Sequence, residues 1–200
     1  MAHDATIGRA TEPAVAAEDA SRQFRLDNEV LAFRFAATVS HRAGSAPFER
    51  LVSPERMRLW MLATGLDLTR DVSSKELATA IALREAIYRA GSAIARAVVP
   101  SASDVDIINT AAAAGRPVAR LVEQKSRWML DPRHPVTDAL AVIAADAIAV
   151  LGTSAAGRVK TCEGVDCAGL FLDTSRGGNR RWCSMNTCGN KAKKSRMARH

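Results

Sequence analysis

Four residues in this sequence combine a chemistry and a spacing suited to holding an ion. Cys162, Cys167, Cys183 and Cys188 form two Cys-x4-Cys pairs joined by a fifteen-residue spacer that contains Gly177 and Gly178, and every cysteine of the chain lies here. Two close pairs on a flexible connector can converge on one point, and zinc takes four tetrahedral ligands with sulfur at about 2.3 Å. The competing chemistry is a pair of disulfides, which needs an oxidising compartment. Residues 1–21 have no apolar run behind a basic start, so nothing there reads as an export signal. A nucleophilic or redox cysteine would stand apart beside a histidine, and no cysteine is left over for that role. Zn2+ held by the four sulfurs is the expectation.

Charge is distributed just as unevenly. From residue 158 onward ten basic residues stand against Glu163, Asp166 and Asp173. The whole chain carries 28 Lys and Arg against 21 Asp and Glu, a net charge of +7, so residues 1–157 balance and the excess lies on the last segment. Four thiolates on a dication would remove about two units and still leave a cationic module. Such a module attracts polyanions, nucleic acid first. The candidate contacts are Arg176, Arg180, Arg181, Asn190, Lys191, Lys193, Lys194, Arg196 and Arg199. The blander alternative is a basic tail that only keeps the protein soluble.

The run FLDTSRGGNRRWCSM from Phe171 to Met185, followed by CGNKAK from Cys188 to Lys193, resembles the finger of the bacterial CGNR zinc-finger proteins, which carry an ABATE-type N-terminal domain. Their four cysteines fall on the positions of the four here. The resemblance implies a stress-induced transcription regulator whose finger binds DNA and whose N-terminal domain senses a ligand or mediates assembly, with a homodimer possible. The signature arginine of that family is Lys191 in this chain. Lysine keeps the charge for phosphate contact but replaces a planar bidentate fork with a point charge. The family's LDFVNT motif aligns with FRFAAT, Phe33 to Thr38, where two polar positions are replaced by Arg34 and Ala37.

The elements that must position the cysteines are short. Arg158 to Thr161 and Leu170 to Leu172 are predicted strands, with Gly164 and Gly169 turning the chain around the first knuckle. Asp173, Thr174 and Ser175 begin a loop, and after Cys188 the residues Ala192, Lys193, Lys194, Arg196, Met197 and Ala198 favour a helix. Knuckle, hairpin and a helix starting at the last ligand form a treble-clef-like layout. Trp182 beside Cys183 reads as miniature core rather than a stacking platform for a base.

Upstream, residues 1–21 read as a loose arm. Arg22 to Ser40 alternates in part and suggests a strand or hairpin, with a short helix as the alternative. Ser53 and Pro54 open a helix that Gly65 stops, and Ser73 or Ser74 caps a longer one in which Leu77, Ala80, Leu83, Ile87, Ala90, Ile94 and Val98 recur at helical spacing. Arg84, Arg89 and Arg96 on that helix read as a solvated face. Ser103, Asp104 and Asp106 start a third helix, with Asn109 packed inside it, and Pro117 to Leu130 reads as a hairpin that Trp128 packs onto the helices. Val136 to Leu151 is apolar on almost every face, too short for a membrane span and interrupted by Asp146, which is expected to pair with an arginine.

These readings predict a mainly α fold with short β-hairpins. A loose arm (1–21) precedes a helical N-terminal domain (22–157) and a small treble-clef-like zinc finger (158–200), with Gly152 to Gly157 as the joint. The finger is too small to fold on its own core and needs its metal. His3, His41, His134 and His200 are scattered and no phosphate loop, dinucleotide fingerprint or serine elbow is present, so no enzyme is expected. The function classes left are a cytoplasmic DNA-binding regulator, an RNA- or ribosome-binding module, and a protein-interaction scaffold with purely structural zinc.

Overall fold

The structure, a computed structural model, describes residues 23–197. The arm at 1–21 and Arg199 lie outside the described residues, as do His3 and His200. Four helices build the larger body: α1 (Leu31–Ala36), α2 (Pro54–Ala63), α3 (Ser74–Ala95) and α4 (Ala102–Ala114). Two-stranded pairs punctuate them, β1 (Val39–Ser40) with β2 (Phe48–Glu49) and β3 (Val118–Val122) with β4 (Lys125–Met129), both antiparallel. The fifth helix, α5 (Pro135–Leu151), packs against α1, α3 and α4.

Although α5 is apolar nearly all round, its fully buried positions Ala139, Ile143, Ala144 and Ala147 follow the three-and-four spacing of one face. Small residues there let α1, α3 and α4 approach closely, while Phe33, Phe35, Trp60 and Leu83 fill the space between. Each such large side chain removed from water contributes about 1.5–3 kcal/mol. The caps follow the sequence. Ser53 accepts from the Arg56 amide, and Ser73 with Glu76 forms a reciprocal capping box. No helix among the described residues is long and apolar enough to cross a membrane.

Several sequence expectations are corrected. Of the two readings left open for this stretch, residues 31–36 take the helix, burying Ala32, Phe33, Phe35 and Ala36, and only Val39–Ser40 is strand. Helix α3 stops at Ala95, and Ala97 takes a left-handed φ of 54°, so Val98 and Val99 leave the core. Arg84 is not on a solvated face: it is 3 % exposed and grips Glu49 through two bonds of 2.7 Å, with Thr38 Oγ1 also accepting from it. Arg89 pairs with the buried Asp104, whose neighbour Ser101, not Ser103, caps α4. Asn109 is exposed.

Asp146 finds no arginine within ion-pair distance among the described residues. Its Oδ2 accepts the Ala32 amide at 2.8 Å, so the acid caps the first turn of α1. Burial pushes its carboxyl above the usual range, against the opposing pull of the Ala32 and Leu31 amides and Arg34. The β3–β4 hairpin is present but stands in solvent on both faces, so Trp128 does not pack it down. Its feet are tied by the buried Asp138, which accepts from the Arg116 amide at 2.9 Å and the Asp131 amide at 2.7 Å. The turn at Glu123 and Gln124 has positive φ at both residues, the geometry that matches hairpin twist.

Beyond α5 a 3-10 turn (Ser154–Arg158) occupies the expected joint. Strands β5 (Val159–Thr161) and β6 (Leu170–Leu172) then pair antiparallel, Val159 opposite Leu172 and Thr161 opposite Leu170. This hairpin does not hang free. Val159 and Leu170 are buried in the main core, and Leu170 fills a notch over Gly91 of α3, where a Cβ would come within 2.6 Å of Leu170 Cδ1. Asn28 Nδ2 donates to the Leu170 carbonyl at 2.8 Å and Tyr88 donates to the Ala168 carbonyl at 3.1 Å. A π-type turn (Met185–Gly189) leads into the last helix, α6 (Asn190–Met197).

Candidate metal centre

The knuckle between β5 and β6 carries Cys162 and Cys167, and the π-type turn brings Cys183 and Cys188 back over it. The four Sγ atoms lie within 4.8 Å of one another and all four residues are buried. Cys167 and Cys183 are 3.7 Å apart and Cys183 and Cys188 3.8 Å apart. A tetrahedron with zinc–sulfur bonds of 2.3 Å has an edge of about 3.8 Å, so the observed spacing fits zinc. Gly164 is part of that fit, because a Cβ there would come within 3.1 Å of Cys188 Cβ and 3.2 Å of its Sγ.

Hydrogen bonds support the same sulfurs. The Gly164 and Cys183 amides donate to Cys162 Sγ at 3.4 and 3.3 Å. Four thiols this close cannot all ionise unaided. Hydrogen bonds from the Cys162 and Cys183 thiols hold Cys167 well below the ordinary thiol range, while the bond to Cys167 pushes Cys162 up to about 11. Cys183 is driven upward as well, by its bonds to Cys162 and Cys167 and by burial. A dication resolves the conflict by accepting all four as thiolates.

One cation reaches the sulfurs from the other body. Arg25 Nη2 donates to Thr187 Oγ1 at 2.9 Å, to Cys183 Sγ at 3.4 Å and to Cys188 Sγ at 3.9 Å. Burial alone would loosen its proton, but the charge of Cys183, Cys167 and Cys188 outweighs that and holds the guanidinium ionised. Nothing in the sequence marks Arg25, which lies in a stretch without motif. Its role exists only because docking of the finger brings residue 25 beside residues 183–188.

The finger's second organiser is Asp173, fully buried. It accepts from Lys160 Nζ at 2.7 Å, the Ser175 amide at 3.0 Å, Ser175 Oγ at 2.6 Å and the Arg180 amide at 3.0 Å. The Lys160 ammonium and the Ser175 hydroxyl hold its carboxyl well below the usual range. The sequence signal is the Asp-Thr-Ser run, which suits an Asx-turn. Phe171 and Trp182 complete the small core around the cysteines, as expected of Trp182.

The cationic candidates divide by position. Arg180 points inward, donating to the Trp182 carbonyl at 2.9 Å and the Cys183 carbonyl at 2.7 Å, with its guanidinium over the Phe171 ring. Arg181 pairs with Glu163 and covers Trp182. Arg176 is exposed on the loop after Asp173. Asn190, Lys191, Lys193 and Lys194 are exposed along α6, and among the described residues no acid lies within ion-pair distance of the three lysines. Arg196 lies on the same helix. Of the N-terminal histidines, His41 is exposed at a left-handed φ of 56°, and its neighbour Arg42 is committed to Glu85.

Comparison with known families adds two matches. Residues 29–154 match the ABATE family, described as "putative stress-induced transcription regulator", and residues 158–200 match the CGNR zinc finger. No curated protein matches the chain. The two matches cover the helical body and the cysteine centre, leaving Arg25 outside both, and they agree with a zinc-binding role for the four buried sulfurs. The chain belongs to the ABATE family and carries a CGNR zinc finger.

Proposed function

We propose that this protein is a transcription regulator of the cytoplasm that binds DNA through its zinc finger, with Cys162, Cys167, Cys183 and Cys188 as the zinc ligands. The observation that carries the reading is α6: an eight-residue helix, set at its first residues on the metal centre, that presents Lys191, Lys193 and Lys194 to solvent without acidic partners among the described residues. Unpaired cations on a fixed scaffold gain most from a polyanion, because each phosphate contact releases condensed counterions. Asn190, Arg176, Arg196 and Arg199 add polar and basic groups along the same stretch of sequence, whereas Arg180 and Arg181 act mainly by bracing the loop before the second cysteine pair. The role is binding, with no catalytic step, and the N-terminal domain senses a ligand or mediates assembly.

Selection of bound sequences from randomised duplex DNA, with single-stranded RNA as competitor, tests this reading. The expected result is an enriched duplex motif and a steep fall of affinity with salt. Replacing Lys191, Lys193 and Lys194 by Gln should lower the salt slope by about 0.9 for each phosphate that these lysines neutralise in the wild type. Binding without salt dependence would overturn nucleic-acid recognition, and preference for single-stranded RNA would move the function to an RNA-binding module.

A further inference from the structure

Between α6 and the β1–β2 side of the N-terminal domain runs a cleft of about 1040 Å³. The finger lines it with Asn186, Asn190, Lys191 and Lys194, and the N-terminal domain with Arg25 and Arg50. We propose that this cleft seats a nucleic-acid backbone, with Arg50 of the N-terminal domain contacting phosphate opposite the lysines of α6. The proposal rests on the nucleic-acid reading above and deepens it by making the N-terminal domain one side of the binding surface.

The environment of Arg50 carries the argument. Its guanidinium is half-buried, donates to Ser40 Oγ at 2.8 Å and lies 5.0 Å from the Phe48 ring centre. No carboxylate among the described residues lies within ion-pair distance of it, and the adjacent Glu49 bonds Arg84 through both oxygens. Arg56 is drawn in from the other side, its Nε donating to the Arg50 carbonyl at 3.3 Å. Burial lowers the proton affinity of Arg50 most, the charges of Arg25 and Arg56 act in the same direction, and Glu49 opposes them. A cluster of this kind is unfavourable by itself and recovers the loss when an anion enters.

Two acids line the same cleft, Glu163 and Asp166. Glu163 is held by Arg181 at 2.5 Å. Asp166 sits beside Gly44, its carbonyl accepting the Ala43 amide at 3.1 Å. The remaining lining is mixed: Val165, Ala192 and the side chains of Cys167 and Cys188 stand beside Ser40, His41, Thr187 and Ser195, and the exposed area is more apolar than polar. What suits the cleft to a chain of phosphates is its cations, since Arg25, Arg50, Lys191 and Lys194 from both domains line one continuous opening. Continuity with the exposed lysines of α6 gives the chain a path out of the cleft along the helix.

The test uses full-length zinc-loaded protein and a labelled DNA duplex, followed by anisotropy across a salt series. Arg50→Gln and Lys194→Gln should each lower the salt slope by about 0.9. Arg120→Gln, the same charge change on the distant β3–β4 hairpin, should leave the slope unchanged. His41→Asp introduces an acid at an exposed cleft residue whose left-handed φ Asp tolerates, so it tests the same face if Arg50→Gln fails to fold. It should weaken binding several-fold with zinc content and melting temperature unchanged.

A slope lowered by Lys194→Gln but not by Arg50→Gln, or binding indifferent to His41→Asp, overturns the cleft while leaving the finger as the nucleic-acid contact. An equal effect of Arg50→Gln and Arg120→Gln reduces the result to net charge and also overturns it. A wild-type protein whose binding ignores salt removes both the cleft and the reading beneath it.

Discussion

Leu170→Ala asks whether the finger and the helical body melt as one unit. Leu170 belongs to β6 of the finger by sequence, yet it is 2 % exposed and part of the main core. Its Cδ1 occupies the notch over Gly91, and Asn28 fixes its carbonyl at 2.8 Å, so the strand cannot sink to fill the hole. Truncation therefore removes the transfer energy and leaves most of the cavity, about 3 kcal/mol for a buried leucine. In a chain of this size each kcal/mol moves the melting temperature by about 2–4 °C, which gives a drop of about 6–12 °C. Far-UV circular dichroism follows the helices, chiefly α3 and α5, and a chromogenic chelator follows release of the metal. Both transitions should fall together. Helical melting that stays within about 1 °C of wild type while metal release moves would refute the reasoning, since it would make the docked hairpin energetically separate from the core it sits in.

Three other perturbations follow from particular contacts. Cys183→Ser removes the sulfur that lies 3.7 Å from Cys167 and 3.8 Å from Cys188, and native mass spectrometry should find one zinc per wild-type chain and none in the variant; stoichiometric zinc in the variant would sink the four-sulfur site. Glu49→Gln removes one of the two carboxylates on the buried Arg84 guanidinium, Glu85 still accepting from its Nε at 2.8 Å, and because the Glu49 side chain is 35 % exposed the loss should sit at about 1–2 kcal/mol, below the range for a buried charge left unpaired, as read from urea denaturation. Asp146 has its folded pKa raised by burial, so its contribution to stability is complete below the unfolded carboxylate value of about 3.9 and is lost as pH rises through the folded value. Asp146→Asn keeps an acceptor for the Ala32 amide and should gain stability relative to wild type between about pH 4 and pH 7, whereas a constant difference across that range would count against the burial argument.

How far the sequence carries is visible residue by residue. Cys162, Cys167, Cys183 and Cys188 are legible because ligand chemistry and paired spacing are local properties. Helix α2 with its Ser53 cap, α5 and the β3–β4 hairpin are legible for the same reason. Arg84 is not, since a charged residue on an amphipathic helix looks solvated until Glu49, far away in sequence, is brought beneath it. Trp128 misleads in the opposite sense: an aromatic residue in a strand suggests packing, but Trp128 and the strands around it stay exposed. Residues 31–36 alternate enough to suggest a strand because Phe33 and Phe35 stand two apart, the spacing of one strand face, yet in the helix they lie about 200° apart and both are buried. Arg25 carries no local signal at all, and its place at the thiolates is a consequence of docking.

That docking bears on how metal and nucleic acid are linked. Helix α6 has eight residues, half of them basic, and helices this short are unstable alone in water. It is anchored at its start, where Ser184 accepts the Thr187 amide and Cys188 joins the sulfur cluster two residues before Asn190. The directions in which Lys191, Lys193 and Lys194 project are thus set by the metal centre, though the metal would touch no phosphate. Chelation separates two effects of opposite sign. Replacing a tetrathiolate zinc centre by neutral thiols makes the finger more positive by about two units, which alone would tighten binding to a polyanion. Loss of the anchor releases α6 and costs the ordering entropy of its side chains on binding. We expect the second effect to win, so that chelated protein binds a DNA duplex more weakly at every salt concentration and recovers fully on zinc addition. Equal or tighter binding after chelation, measured by anisotropy on the same duplex, would mean that the lysines act as loose charge and that α6 needs no scaffold to engage its partner.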